Sequence, residues 1–329
     1  MKTLKIAIIQ RICLVLVGLI PPVVFGQQFP MMEGYNVNPF NLSPAYAGIR
    51  NSKTLFIDYR SDWTGIEGGP TTYQLSYNDK LFSRKKLGGD FIYEQSDIHK
   101  KNVALGGRFI YDKTDIFTQL LLLGTYSYEV RIANRHKVNL ALSAGFYRNS
   151  VDYTKYFNNP DYVQDMVLLY GQGKSKIKFA TDLSALYRYE QIEAGIIFSN
   201  VMFGMVRYRN TDMTYKPLKN YLLHSSYFFV IDKNWSARPT IILKGGQNIP
   251  VQVEIAPSLS WNDRFWGTAI YRTGGIFGVG LGGEVYDGII LDYSYNLSTN
   301  VALSTFGSHQ LSLGVKIFNL AKSANNKGL

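Results

Sequence analysis

Val251-Gln252-Val253-Glu254-Ile255-Ala256-Pro257-Ser258-Leu259-Ser260-Trp261 is the stretch that decides the fold. Val251, Val253, Ile255, Leu259 and Trp261 alternate with Gln252, Glu254, Ala256, Ser258 and Ser260, so an extended strand shows one apolar face and one small or polar face. Two architectures accommodate such a strand. A soluble sandwich buries the apolar face against a second sheet, whereas an outer-membrane barrel turns it to lipid and turns Glu254 toward water inside. The stretch has the length of about 9–11 residues that a transmembrane strand needs. Pro257 has no backbone donor to give and lipid has nothing to replace it, so a local bulge is expected there.

The same alternation recurs on both sides of this stretch. Thr71, Tyr73, Leu75 and Tyr77 oppose Thr72, Gln74, Ser76 and Asn78; Val103, Leu105, Phe109 and Tyr111 oppose Ala104, Gly106, Arg108 and Asp112. Val138, Leu140, Leu142 and Phe146 form another apolar row, as do Ile177, Phe179, Leu183 and Tyr187, whose opposite face holds Asp182 and Arg188. Leu311, Leu313, Val315 and Ile317 end the series. Arg108, Asp182, Arg188 and Glu254 therefore read as charges facing a lumen. The connections sort by length. Glu190-Gln191, residues 232–234, Asn262-Asp263 and Asp287-Gly288 are tight turns, while residues 148–175, 200–219 and 297–307 are long. Counting back from the last strand puts all the long ones on one rim and these tight ones on the other, the asymmetry of outer-membrane barrels. About fifteen candidate strands can be marked, and single-chain bacterial barrels have an even number. The ambiguity lies before residue 113: either residues 53–60 are an element ahead of the barrel and not a wall strand, or two of the early segments are one. The expected fold is all-β, a transmembrane antiparallel up-and-down barrel of about 14 strands.

Composition agrees with this reading. Mean hydropathy is −0.08, and Tyr (24), Phe (19) and Gly (30) are plentiful, as alternating strands with aromatic girdles require. Residues 1–26 read as a signal peptide: Lys2, Lys5 and Arg11, an apolar centre, Pro21-Pro22, and cleavage after Gly26. Cys13 lies in that leader, so the mature chain would have no cysteine and no disulfide. The formal charge is +11, of which the leader accounts for three. The remaining excess reads as a solvated rim, and nothing in the chain supports nucleic-acid binding. Residues 27–52 form an irregular segment rich in Asn, Pro and Gly, residues 53–318 the barrel, and residues 319–329 a tail.

The chain has few motifs that carry chemistry. Gly278, Gly280 and Gly283 match a dinucleotide pattern in letters, but Phe277, Val279, Leu281 and Val285 continue a strand where a helix should begin. Gly278, Gly280 and Gly282 instead share one strand face and leave room for an inward loop or a bend. The four histidines have no metal spacing, and no cofactor is expected. His224 and Ser226 share a strand face, yet catalysis would also need an orienting acid and an oxyanion site, so no enzyme is expected.

Asn38-Pro39, Ser43-Pro44-Ala45-Tyr46-Ala47-Gly48 and Tyr59-Arg60-Ser61-Asp62-Trp63-Thr64-Gly65-Ile66-Glu67-Gly68-Gly69-Pro70 resemble the N-terminal signature of the PorP/SprF family. The resemblance continues through Tyr271-Arg272-Thr273-Gly274, Asp292-Tyr293-Ser294-Tyr295 and Gly307-Ser308-His309-Gln310. It departs at Ser61-Asp62, where the family usually has Gln-Gln or similar, and at Gln310, where it often has Glu. The resemblance implies a barrel without catalysis in the outer membrane of Bacteroidota, part of type IX secretion and gliding. It implies as partners membrane lipid, periplasmic ring lipoproteins or a peptidoglycan-linked lipoprotein, and a secreted adhesin or its C-terminal sorting domain. The implied role is export, surface anchoring or motor coupling; a porin-like diffusion channel for small or apolar solutes is the alternative. Tyr59, Arg60, Trp63, Gly65 and Pro70 are candidates either for docking a partner or for closing the barrel mouth, with Arg60 paired to a loop carboxylate.

Overall fold

The computed structural model describes residues 32–50, 53–81, 102–152, 176–199, 206–207, 214–215, 219–246, 249–299 and 305–317. The leader and the tail expected from the sequence lie outside these residues. Fourteen wall strands follow one another: β1 (Thr54–Ser61), β2 (Thr71–Lys80), β3 (Val103–Thr114), β4 (Phe117–Arg131), β5 (His136–Val151), β6 (Lys176–Tyr189), β7 (Ile192–Ser199), β8 (Asn220–Tyr227), β9 (Trp235–Gly246), β10 (Ile249–Trp261), β11 (Phe265–Arg272), β12 (Ile276–Tyr286), β13 (Ile289–Ser298) and β14 (Ser308–Lys316). Each pairs antiparallel with its chain neighbours, and β1 pairs with β14 to close the cylinder. Closure removes the exposed edges that an open sheet would leave unpaired in lipid. Residues 53–60, ambiguous in the sequence, thus hold the closing strand. A two-residue piece, Phe229–Val230, continues the line of β8 against Ala237 and Ser236. A short ladder of Val206–Arg207 with Thr214–Tyr215 stands apart from the barrel sheet.

The burial of the wall is inverted relative to a soluble protein. On β10, Val251 is 53% exposed while Glu254 is 0% exposed. On β2, Tyr73 and Leu75 are exposed while Thr72, Gln74, Ser76 and Asn78 are buried. A sandwich would do the reverse, because water rather than lipid would surround it. The apolar row faces acyl chains and the polar row faces the lumen.

The bulge expected at Pro257 is absent. Pro257 pairs with Pro239 in unbroken register on the β9 side, and on the β11 side the ladder resumes from Ile255↔Tyr271 to Ser258↔Thr268 without slippage. Placing two donor-less residues opposite one another confines the missing N–H groups to one level of the wall, and the register survives. The irregularity in this pair of strands lies instead between Lys244 and Gly246.

Turn chemistry explains the tight rim. Asn262 and Asp263 both have positive φ (52° and 50°) in the three-residue connection from Trp261 to Phe265, and the Arg264 N–H returns to the Trp261 C=O (3.0 Å) to tighten it. β1 begins and β14 ends on this rim, which is the periplasmic one, and the long connections after β5, β7 and β13 lie on the opposite, outer rim. One connection departs from the asymmetry: residues 81–102 join β2 to β3 on the periplasmic rim.

Candidate functional site

The lumen is occupied by the chain itself. Met32, Glu33, Tyr35, Val37, Phe40, Leu42, Ala45 and Tyr46 are all buried inside the wall. Two 3-10 turns compact the segment, Pro39–Asn41 and Pro44–Tyr46, each with proline where a free N–H would find no partner. Ser43 caps the second by accepting from the Ala45 N–H (3.3 Å). Strand register gives the direction of the segment. Glu33 meets Arg60, Arg272, Asn296 and Gln310, all near the outer ends of their strands, whereas Arg50 meets Glu193 beside the periplasmic turn. Residues 33–50 therefore run from the outer mouth to the periplasmic rim.

The outer clasp is a network of buried charge. Glu33 Oε1 accepts from Arg60 Nη1 and Arg272 Nη2 (3.0 Å each), and Oε2 accepts from Asn296 Nδ2. The Glu33 backbone exchanges hydrogen bonds with Gln310, its N–H giving to Oε1 and its C=O accepting from Nε2 (2.8 Å each). Arg272 Nε donates to Glu254 Oε2 (2.7 Å), Lys244 Nζ lies 3.4 Å from the same oxygen, and the Tyr35 hydroxyl donates to Glu254 Oε1. Glu33 and Tyr35 thus grip the wall from either side of Gly34. That residue has φ +76°, and a Cβ there would stand 3.0 Å from Asp292 Oδ1. Gly278 plays the matching role in the wall, since a Cβ would fall 1.9 Å from Asn296 Oδ1 and push that amide off Glu33. The glycine row on β12 makes room for wall side chains: a Cβ at Gly282 would meet Trp266 and Asp292, as one at Gly278 would meet Asn296.

Asparagines carry the middle of the contact. Asn38 Nδ2 donates to Ser76 (2.9 Å), Asn41 Nδ2 to Asp58 (3.2 Å), and the Gly48 N–H to Asn78 Oδ1 (2.9 Å). Phe40 fits over Gly106 beneath Arg108, whose guanidinium carbon lies 5.8 Å from the ring centroid. At the periplasmic end, Glu193 Oε2 accepts from Tyr46 (3.1 Å), Arg50 (2.6 Å) and Arg238 (3.2 Å). A polar wall filled by a turn-rich segment pairs many of the buried polar groups with one another, and such networks fix the position of the segment.

The residues singled out from sequence divide among several places. Arg108 and Asp182 meet each other (3.2 Å), Arg188 meets Glu129 and Asn139 near the periplasmic rim, and Glu254 belongs to the outer clasp. Arg60 points into the lumen, bonded to Glu33 and to Asp62 (2.8 Å). Tyr59 lies on the lipid face, its ring 5.2 Å from Tyr73. Trp63 and Gly65 sit in the outer β1–β2 loop, which Pro70 closes by accepting from the Asp62 N–H (2.8 Å). That loop is tied to residues 306–307 by Thr64 N–H to Gly307 O (2.9 Å) and Phe306 N–H to Thr64 O (2.8 Å). Ser226 Oγ reaches Glu193 (3.5 Å), and neither nitrogen of His224 has a partner among the described residues, so no nucleophile–base hydrogen bond forms. Sequence reasoning missed Glu33, Tyr35, Tyr46 and Glu193.

Glu33 and Tyr35 keep their protonation states over a wide pH range. Burial would raise the Glu33 carboxyl, but Arg60 and Arg272 outweigh it and hold it below the usual carboxylate range. Burial and the Glu254 charge push the Tyr35 phenol well above its ordinary value. The depressed acid contributes stability above about pH 4.3, lost only as pH falls through its lower folded value; the raised phenol contributes below about pH 10, lost only as pH rises further. Glu33 and Tyr35 are therefore expected to keep one protonation state from about pH 5 to 9, and a stepwise rise in conductance of the reconstituted barrel within that window would come from other groups of the lumen.

Several solved porin-type structures are similar in outline at very low identity. Omp33 of Acinetobacter baumannii is 8% identical with a TM-score of 0.44, covering 79% of this chain and 95% of that one. The KdgM porin is 7% identical (TM-score 0.35; 80% and 96%), and the NanC porin 9% (TM-score 0.34; 80% and 97%). No curated protein matches the sequence. The barrel is an outer-membrane protein, and because residues 24–315 match the family model of the type IX secretion system membrane proteins PorP/SprF, the chain belongs to that family.

Proposed function

We propose that this barrel works through protein contacts at its two rims rather than by passing solutes, as a non-catalytic component of type IX secretion and gliding. Its periplasmic turns would meet ring lipoproteins or a peptidoglycan-linked lipoprotein. Its outer loops, including Trp63, Gly65 and Pro70, would meet a secreted adhesin or its C-terminal sorting domain, supporting export, anchoring or motor coupling. One observation carries this reading. Residues 33–50 run the length of the lumen and are bonded to the wall at both ends. A diffusion channel needs a clear lumen, and a structural plug held by buried ion pairs opposes one.

Single-channel recording on the reconstituted full-length protein tests the reading. The expected result is no steady conductance in the absence of partners. A steady, large conductance would favour the diffusion channel. Cross-linking from the periplasmic turns in secreting cells is expected to recover a periplasmic lipoprotein.

A further inference from the structure

Beside the periplasmic end of the luminal segment lies a cavity of about 200 Å³, lined among others by Arg50, Arg238, Ser258, Ser260, Asp263 and Trp266. Its position is fixed by the wall: Asp263 belongs to the β10–β11 turn, and Arg238 stands near the start of β9, both at the periplasmic rim. Arg50 belongs to the luminal segment and Arg238 to the wall, so the cavity straddles their seam.

Its donors are only partly used. Arg50 Nη2 and Arg238 Nη1 both give to the same oxygen, Glu193 Oε2, at 2.6 and 3.2 Å. A guanidinium carries five N–H groups in a planar fork suited to gripping a carboxylate with two parallel bonds. Arg50 Nε is fully buried, so the donors open to the cavity are the remaining Nη groups of the two forks. The Arg238 guanidinium carbon lies 4.9 Å from the Phe228 ring centroid, which holds its plane. The acids of the lining are already paired within it: Asp263 accepts from Ser236 (3.2 Å) and Glu284 from Lys316 (2.6 Å). Two forks converge on one carboxylate oxygen, and a second carboxylate entering from the cavity would use the donors left over. The charged groups of the lining are Arg50, Arg238 and Lys316 against Asp263 and Glu284, an excess of one positive charge that a single carboxylate neutralises and a dianion overshoots.

We propose that this cavity receives a single carboxylate from a periplasmic polypeptide, an acidic side chain or a chain terminus, between Arg50 and Arg238. The proposal rests on the reading of the barrel as a contact protein and gives its periplasmic partner a chemistry. Docking there fastens the luminal segment to β9, so the bound partner and the filled lumen stabilise each other.

Ligand-observed saturation-transfer NMR on the detergent-solubilised full-length protein tests it, with N-acetylglutamate α-amide as the probe. Saturable binding is expected for this monocarboxylate and none for N-acetylglutamine α-amide, with inorganic phosphate binding more weakly. Binding is expected to weaken at least tenfold in Arg238→Gln and in Ser260→Leu, which narrows the cavity without touching either guanidinium. Absence of saturation, equal binding of the glutamine amide, tighter binding of phosphate, or unchanged binding in either variant overturns the assignment. A barrel that conducts steadily yet binds the probe overturns the contact reading and leaves the carboxylate site standing.

Discussion

Glu33→Ala is expected to loosen the luminal segment by about 3–5 kcal/mol and to give a barrel that conducts, because it removes one partner from a buried charge network and leaves the others in place. Arg60 would keep Asp62 and Arg272 would keep Glu254, but each would lose its bond to Glu33, and the Asn296 amide would lose its acceptor. None of these groups can turn to water without opening the mouth. The wall ladders are untouched by the change, so the segment should release while the barrel remains folded, an opening of the less stable part ahead of the whole. Glu33→Gln keeps the shape and part of the hydrogen bonding and should fall between alanine and the native residue. Lys316→Ala breaks a partly exposed pair with Glu284 and serves as the comparison, at about 0–1 kcal/mol. Planar-bilayer recording reads the opening, and heat-modifiable gel mobility reads the integrity of the wall. If Glu33→Ala stays closed like the Lys316 variant, the outer clasp is not what keeps the segment in place.

The wall was legible in the sequence because its signal is local. Tyr73 and Leu75 on β2, or Val251 and Ile255 on β10, declare their face by parity alone, and lipid on one side makes that parity strict. Parity also put Arg108, Asp182, Arg188 and Glu254 on the polar side of their strands. It could not pair them, since Arg108 and Asp182 are 74 residues apart and meet only because the sheet curls into a cylinder. The luminal segment was the least legible part. Glu33-Gly34-Tyr35 has no period, and its partners Arg272 and Glu254 lie more than two hundred residues away. The Gly278, Gly280 and Gly282 face suggested an inward loop or a bend, and the space it leaves is taken by the wall side chains Asn296, Trp266 and Asp292. Pro257 shows the opposite failure. A rule that holds for a single strand gave a bulge, and the proline opposite it on β9 made the bulge unnecessary.

Leu122→Arg is expected to destabilise the barrel by about 2–4 kcal/mol in lipid, the cost of a cation on the outer face near the bilayer midplane. Leu122 sits near the middle of β4, 50% exposed, between Phe109 of β3 and Phe146 of β5 in the cross-strand row. The same substitution at Ile132, 67% exposed in the β4–β5 turn, should cost about 0–1 kcal/mol, because an arginine at the interface keeps its charge in water. Both positions are exposed and both side chains are aliphatic, so exposure alone predicts no difference; in water, surface changes of this kind fall within about 0.5 kcal/mol. The gap between the two variants therefore measures the depth of hydrocarbon over β4, independently of anything inside the lumen. Equilibrium unfolding from phospholipid vesicles gives both values. Equal costs at Leu122 and Ile132 would mean that acyl chains do not cover this face, and the apolar row of the wall would then need a protein partner to explain it.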